Sequence, residues 1–115
     1  IDLGQKYLPG PFTYILPTKA GVKQFAASGA TLGVRIPAQL QLLTLLSELD
    51  FPITATSANP HGGPEPYSID LCVSSVDFAW DAGELIPNLP STIIDFCQEH
   101  PTVLRKGALI PTELI

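Results

Sequence analysis

A single α/β or α+β domain built on a mixed sheet is what this sequence predicts, and three observations predict it. Strand-like and helix-like stretches alternate early in the chain, and strand-like ones dominate late. Twelve prolines in 115 residues are too many for a helical bundle and point to short elements joined by stiff turns. Thr31 to Thr56 reads as strand, helix, strand, which fits a right-handed crossover to a parallel neighbour.

Taken in order, residues 1–8 form the tail of a helix, ended by Pro9-Gly10-Pro11. Phe12 to Leu16 is a β-rich run closed by Pro17. Ala20 to Ala27 suits a short helix, with Val22 and Phe25 on one side and Ser28-Gly29 at its end. Thr31 to Ile36 is a second strand. Leu32, Val34 and Ile36 alternate onto one face of it, leaving Gly33 and Arg35 on the other. Pro37 suits the first residue of a helix whose leucines, Leu40, Leu43 and Leu46 to Leu49, recur at helical spacing. Asp50-Phe51-Pro52 turns the chain into a short buried strand at Ile53 to Thr56, which stops in the turn Ser57-Ala58-Asn59-Pro60. Residues 62–67 form a Pro/Gly loop. Ser68 is placed to cap a helix over residues 69–75, and Val76 to Trp80 reads as another short strand. Ser91 to Phe96 and Thr102 to Arg105 are the last two strands, and their short separation favours a hairpin.

Composition narrows the function. Six basic residues against eleven acidic ones give a net charge of −5, which disfavours general nucleic-acid binding, since that needs surplus cations to displace counterions. The apolar share, 45%, argues against wholesale disorder. No apolar run reaches the roughly 20 residues that cross a bilayer. Cys72 and Cys97 have no ligand spacing and read as buried free thiols; His61 and His100 are not spaced as a metal pair, so no protein-built metal site is expected. There is no methionine, and the opening on Ile1 reads as a fragment.

Arg35 is the charge that stands out, inside an otherwise apolar strand. A guanidinium there needs an anion or carbonyls. Two readings are open: a bidentate grip on a substrate carboxylate or phosphate, or an internal ion pair. Arg105, followed by Lys106-Gly107, repeats the theme. The two arginines, on neighbouring strands and near Gly33 and Gly107, would converge on one anionic ligand approaching the backbone. Ser57 and Asn59 offer a hydroxyl and an amide at a strand end, where ligands bind in open α/β sheets; the alternative is a tight turn that bonds its own backbone. Ser91 and Thr92 open a strand with adjacent hydroxyls, which are also ordinary turn formers. Neither of the two common nucleotide-binding glycine signatures is present, and no nucleophile elbow. Such a set of Arg, Ser, Thr and Asn binds and orients an anionic substrate rather than attacking it covalently.

Five segments in this order resemble the Sua5/YciO/YrdC family: Pro9-Gly10-Pro11-Phe12-Thr13 with Leu16-Pro17; Thr31-Leu32-Gly33-Val34-Arg35-Ile36-Pro37; Thr56-Ser57-Ala58-Asn59; Pro90-Ser91-Thr92-Ile93-Ile94-Asp95; and Leu104-Arg105-Lys106-Gly107-Ala108. Ser57-Ala58-Asn59 favours the threonylcarbamoyl-AMP synthase branch; a YciO-like or RNA-binding non-catalytic module is the alternative. The resemblance implies a twisted, mixed, largely parallel α/β sheet with flanking helices around a deep cavity. It implies a cytoplasmic enzyme that joins L-threonine, bicarbonate and ATP, with Mg2+ accompanying ATP, into threonylcarbamoyl-AMP and pyrophosphate for the t6A modification of tRNA. The partners implied are those substrates, with tRNA or t6A-machinery proteins; double-stranded RNA is disfavoured by charge. By motif position, Thr31, Ser57, Asn59 and Arg105 would contact ATP, and Arg35, Ala55 and Ser91 would contact L-threonine. Residues 1–115 would be the C-terminal portion of the family domain. The Lys-x-Arg motif that family members carry upstream of Pro-Gly-Pro is not in these residues. This polypeptide alone is therefore expected to show little or no synthase activity, and strands without neighbours are expected to leave exposed edges.

Overall fold

The structure, a computed structural model, describes residues 2–25, 30–72 and 75–114. They divide into two compact units, one comprising Ile1–Pro52 with Leu89–Ile115 and the other Ile53–Asn88.

The first unit is organised on a four-stranded mixed sheet. Its strands are β1 (Phe12–Pro17), β2 (Thr31–Val34), β3 (Thr92–Asp95) and β4 (Thr102–Arg105), in the spatial order β2-β1-β3-β4. β1 runs parallel to β3, and each edge strand is antiparallel to its inner neighbour. Burial alternates along the inner pair. Phe12, Tyr14, Thr92 and Ile94 point to one face and are buried, while Thr13, Ile15, Ile93 and Asp95 point to the other and are half-buried. Phe12, Tyr14 and Ile94 form the core, with Tyr7, Leu8, Leu16, Phe96 and Leu114 packed against them. The rings of Tyr7 and Phe12 lie 5.2 Å apart, and those of Tyr14 and Phe96 meet edge-on at 4.9 Å.

Helix α1 (Asp2–Tyr7) reaches this core through Tyr7, and Gly4 faces the Tyr14 ring. Pro9-Gly10-Pro11 then brings the chain to β1 through a cis Leu8–Pro9 bond. A side chain at Gly10 would run into the Tyr7 carbonyl, and the Gly10 amide donates to the Ile36 carbonyl at 2.9 Å. The chain therefore needs glycine there for close backbone approach. A 3-10 turn at Thr112–Leu114 returns to α1, where the Glu113 carboxylate accepts from Lys6 Nζ at 2.5 Å and from the Tyr7 hydroxyl at 2.7 Å. These two donors hold the Glu113 carboxyl at about 2. The same carboxylate raises the Lys6 ammonium.

Several expected elements differ. Residues 20–25 form a 3-10 helix, and Ala26 to Gly29 lie outside the described residues. The second strand stops at Val34, so Arg35 and Ile36 fall beyond it. Helix α2 (Leu40–Ser47) starts three residues after Pro37, capped at Gln39 without a side-chain bond. None of its residues is buried, and Leu40 is 73% exposed. Ile53 to Ser57 is neither strand nor buried, because among the described residues no strand pairs with it, so the expected crossover is not formed. Ser68 leads into one 3-10 turn at Ile69–Leu71 without a side-chain cap. Val76 to Trp80 is irregular and exposed. The hairpin of the last two strands forms as expected, with a bulge at Ile93/Ile94. Cys72 and Cys97 are free thiols, half-buried rather than buried.

The described residues of the second unit, Ile53–Asn88, include one short helical turn and are tied by a few bonds. The Leu85 amide donates to the Tyr67 carbonyl at 2.7 Å, and the Tyr67 hydroxyl to the Asn88 carbonyl at 3.3 Å. Phe78, Trp80 and Ile86 are among its exposed apolar side chains.

Candidate functional site

The polar corner of the first unit forms where β3 begins and β4 ends. Ile93 pairs with Arg105 across the hairpin, which places Arg105 on the same sheet face as Ser91 and Thr13, one diagonal step away. The Arg105 guanidinium folds back onto Ser91. Its Nε and Nη2 both donate to the Ser91 carbonyl, at 3.1 and 2.9 Å, and Nη2 also donates to Ser91 Oγ at 3.2 Å. Ser91 Oγ in turn shares a hydrogen bond with Thr13 Oγ1 at 2.8 Å. Ser91 is only 5% exposed.

Behind this face, Thr92 fastens the corner. Its hydroxyl donates to the Leu109 carbonyl and accepts from the Gly107 amide at 2.9 Å. Gly107 is packed onto the Pro90–Thr92 backbone: a Cβ added there would lie 2.5 Å from the Thr92 nitrogen and 2.6 Å from the Ser91 carbonyl carbon. The glycine of Leu104-Arg105-Lys106-Gly107 thus admits the chain's own backbone, and not a ligand as expected. Gly33 differs. A Cβ there would sit at ordinary contact distance, 3.6 Å from Ile15 and 3.7 Å from the Thr13 methyl.

Of the expected site residues, the structure brings Ser91 and Arg105 into direct contact. Thr31 opens β2, opposite Pro17. Arg35 lies one residue past β2 and is exposed. Among the described residues it has no ion-pair or hydrogen-bond partner, so the expected buried fork is not what the fold makes. The physical reason is that β2 is a short edge strand, leaving solvent to take the charge. Arg35 and Arg105 are not on neighbouring strands either, because β1 and β3 separate their edges. Three strand spacings put their backbones about 14 Å apart. Ala55, Ser57 and Asn59 belong to the second unit. Ala55 and Ser57 are exposed, and the Asn59 amide donates to the Gly63 carbonyl at 2.8 Å within a turn that places Gly62 at φ +74°. That bond takes one of the two Asn59 amide hydrogens and ties the side chain to its own turn.

Thr13 is the residue that sequence reasoning passed over. Its signal was present: it lies between buried Phe12 and Tyr14, so the period-2 rule puts its hydroxyl on the opposite face, among the site residues. Asp95, on that same face, caps the Cys97 amide at 2.8 Å. Partial burial, then the neighbouring Asp95 carboxylate, pushes the Cys97 thiol up, which makes it a poor nucleophile at neutral pH. Among the described residues no group of His, Cys, Asp and Glu is arranged to hold a metal, and no helix is long and apolar enough to cross a membrane.

Chemically, the corner offers hydroxyls and a guanidinium edge to an acceptor oxygen, with no activated nucleophile among them. Known proteins share the scaffold. The threonylcarbamoyl-AMP synthase of Pyrococcus abyssi is 34% identical over 112 aligned residues, covering 93% of this chain and 33% of that protein. That of Bacillus subtilis is 28% identical, covering 97% of this chain and 34% of its own length. The crystal structure of P. abyssi Sua5 complexed with L-threonine superposes with a TM-score of 0.82 at 34% identity, over 94% of this chain and 33% of that one. The chain thus spans about a third of the length of these relatives. The family model described as telomere recombination, that of the Sua5/YciO/YrdC proteins, matches residues 1–107. With that match covering nearly the whole chain, and its Ser91–Arg105 corner set in the fold those relatives share, the protein belongs to the Sua5/YciO/YrdC family.

Proposed function

We propose that this chain serves threonylcarbamoyl-AMP synthesis, as a C-terminal portion of the synthase domain acting in the cytoplasm on the way to t6A in tRNA. The substrates are L-threonine, bicarbonate and ATP, the last with Mg2+. The threonine amine and bicarbonate form a carbamate with loss of water. A carbamate oxygen then attacks the α-phosphorus of ATP, and pyrophosphate leaves.

In this reading Ser91, Arg35 and the Ala55 backbone contact L-threonine, and Thr31, Ser57, Asn59 and Arg105 contact ATP. The task of these residues is to hold two anions together while charge accumulates at phosphorus, so binding and orientation dominate. The observation that carries the reading is the Ser91–Arg105 corner, a nearly buried hydroxyl fixed by a guanidinium. Its support from outside is the relative crystallised with L-threonine on the same scaffold.

Titration calorimetry with ATP, in the presence and absence of L-threonine and bicarbonate, tests it. The expected result is ATP binding that strengthens when L-threonine is present. ATP affinity indifferent to L-threonine overturns the reading, and salt-sensitive RNA binding in its place would assign the chain to a non-catalytic module.

A further inference from the structure

We infer that Thr13 is a positioning residue: together with Arg105 it fixes the Ser91 hydroxyl so that the Thr13–Ser91 pair presents a single proton to an acceptor oxygen of the substrate. The substrate half of this statement rests on the function proposed above; the Thr13–Ser91 half does not.

The geometry begins with how Thr13 is held. β1 lies between β2 and β3, and Thr13 uses both sides of that position. Its methyl points toward Gly33 on β2, where a Cβ would come within 3.7 Å of it. Its hydroxyl points the other way, to Ser91 Oγ at 2.8 Å. A β-branched side chain has few χ1 choices, so the methyl contact and the hydroxyl bond reinforce one rotamer. A Cβ at Gly33 would meet this methyl only at ordinary contact distance, so the rotamer does not depend on glycine there.

A count of protons gives the chemistry. Thr13 and Ser91 together carry two hydroxyl protons and four lone pairs. One proton is used in their mutual bond, whichever oxygen donates. Arg105 Nη2 donates into Ser91 Oγ, and its donors cannot be reversed, because guanidinium stays protonated. One hydroxyl proton of the pair is therefore left over. Ser91 is 5% exposed, Thr13 half-buried and Arg105 exposed, so the pair is sheltered yet reachable from the surface. A fixed donor in such a place suits a ligand that brings an acceptor: a carboxylate, carbonyl or phosphate oxygen. The carboxylate of a small amino acid meets this requirement.

The test compares Thr13→Val, which keeps the shape and removes the hydroxyl, with Thr13→Ser, which keeps the hydroxyl. In the ligand-free, isotope-labelled chain, three-bond couplings report the Ser91 χ1 rotamer, and backbone amide spectra report the fold. The expected result is one Ser91 rotamer in wild type and Thr13→Ser, and rotamer averaging in Thr13→Val with the β1–β3 amides unchanged. A single rotamer retained in Thr13→Val overturns the inference. So does averaging in the wild-type chain itself, a measurement that stands even if the valine variant does not fold. Calorimetry then reads the substrate half. L-threonine affinity should fall about tenfold in Thr13→Val, the loss of one hydrogen bond to an ionised group, with recovery in Thr13→Ser. If wild type binds no L-threonine while the rotamer result holds, the proposed function fails and the positioning of Ser91 by Thr13 stands.

Discussion

Arg35 and Arg105 carry the same charge and do different work. Arg105 is committed: two of its nitrogens hold one backbone carbonyl, so it fixes the start of β3 before any ligand arrives. Arg35 is exposed and, among the described residues, unpaired, so the fold does not depend on it. Replacing Arg35 by Lys keeps the charge but removes the planar fork. The melting temperature should stay within about 2 °C, since an exposed substitution changes stability by less than about 0.5 kcal/mol. L-threonine affinity should fall more than ATP affinity, and equal loss of both would show that Arg35 holds structure instead. Glu113 gives a second prediction. Its folded carboxyl lies at about 2, below its ordinary 4.5. A depressed carboxylate contributes stability that is fully present above the ordinary value and is lost as the pH falls through that window toward 2. Acid titration followed by Tyr7 fluorescence or α1 amide shifts should thus show loosening between about pH 4.5 and 2. Glu113→Gln should remove that pH dependence and leave the chain ends loosely tied at every pH.

The elements show which sequence signals reached the structure. Phe12–Pro17, Thr92–Asp95 and Thr102–Arg105 were legible because each is a β-rich run and each finds a hydrogen-bonding neighbour. The helix over Leu40–Ser47 was legible from leucine spacing, which is a local property. Ile53 to Thr56 reads equally well as a strand, yet a strand is a property of a pair, and no described strand pairs with it. The same logic explains Arg35: placing it inside an apolar strand required β2 to continue past Val34, and pairing with β1 ends there. Ser91 and Arg105 were singled out as candidates by motif, whereas their contact was not legible, because it depends on a hairpin register that a bulge shifts. The elements also differ in what they hold up. Ile94 is fully buried on β3, and truncating Ile94 to Ala should cost about 2–5 kcal/mol, enough to unfold a sheet with so small a core. Leu40 on α2 is 73% exposed, so Leu40→Glu should change stability by less than about 0.5 kcal/mol in urea denaturation. A large loss from Leu40→Glu would mean that α2 is packed in solution.

Charge is unevenly spread along the 115 residues. All six basic residues lie at or before Arg35 or at and after Arg105, while nine of the eleven acidic ones lie between them. Of the cations, Lys6 is paired with Glu113 and Arg105 is turned onto Ser91. Attack of a carbamate on the α-phosphate of ATP brings anion onto anion, and the barrier falls only where fixed positive charge meets the growing charge on the phosphoryl oxygens. No Lys-x-Arg pair stands in these 115 residues to provide it. Under the function proposed above, the chain is therefore expected to bind L-threonine and ATP without joining them. Incubated with L-threonine, bicarbonate, ATP and Mg2+, the purified polypeptide should release pyrophosphate no faster than a blank lacking protein. A threonine-dependent release above that blank, abolished by Arg105→Ala, would show that the cations on this chain are sufficient for the chemistry. A release that persists without L-threonine would instead mark a contaminating pyrophosphohydrolase that cleaves ATP to AMP and pyrophosphate.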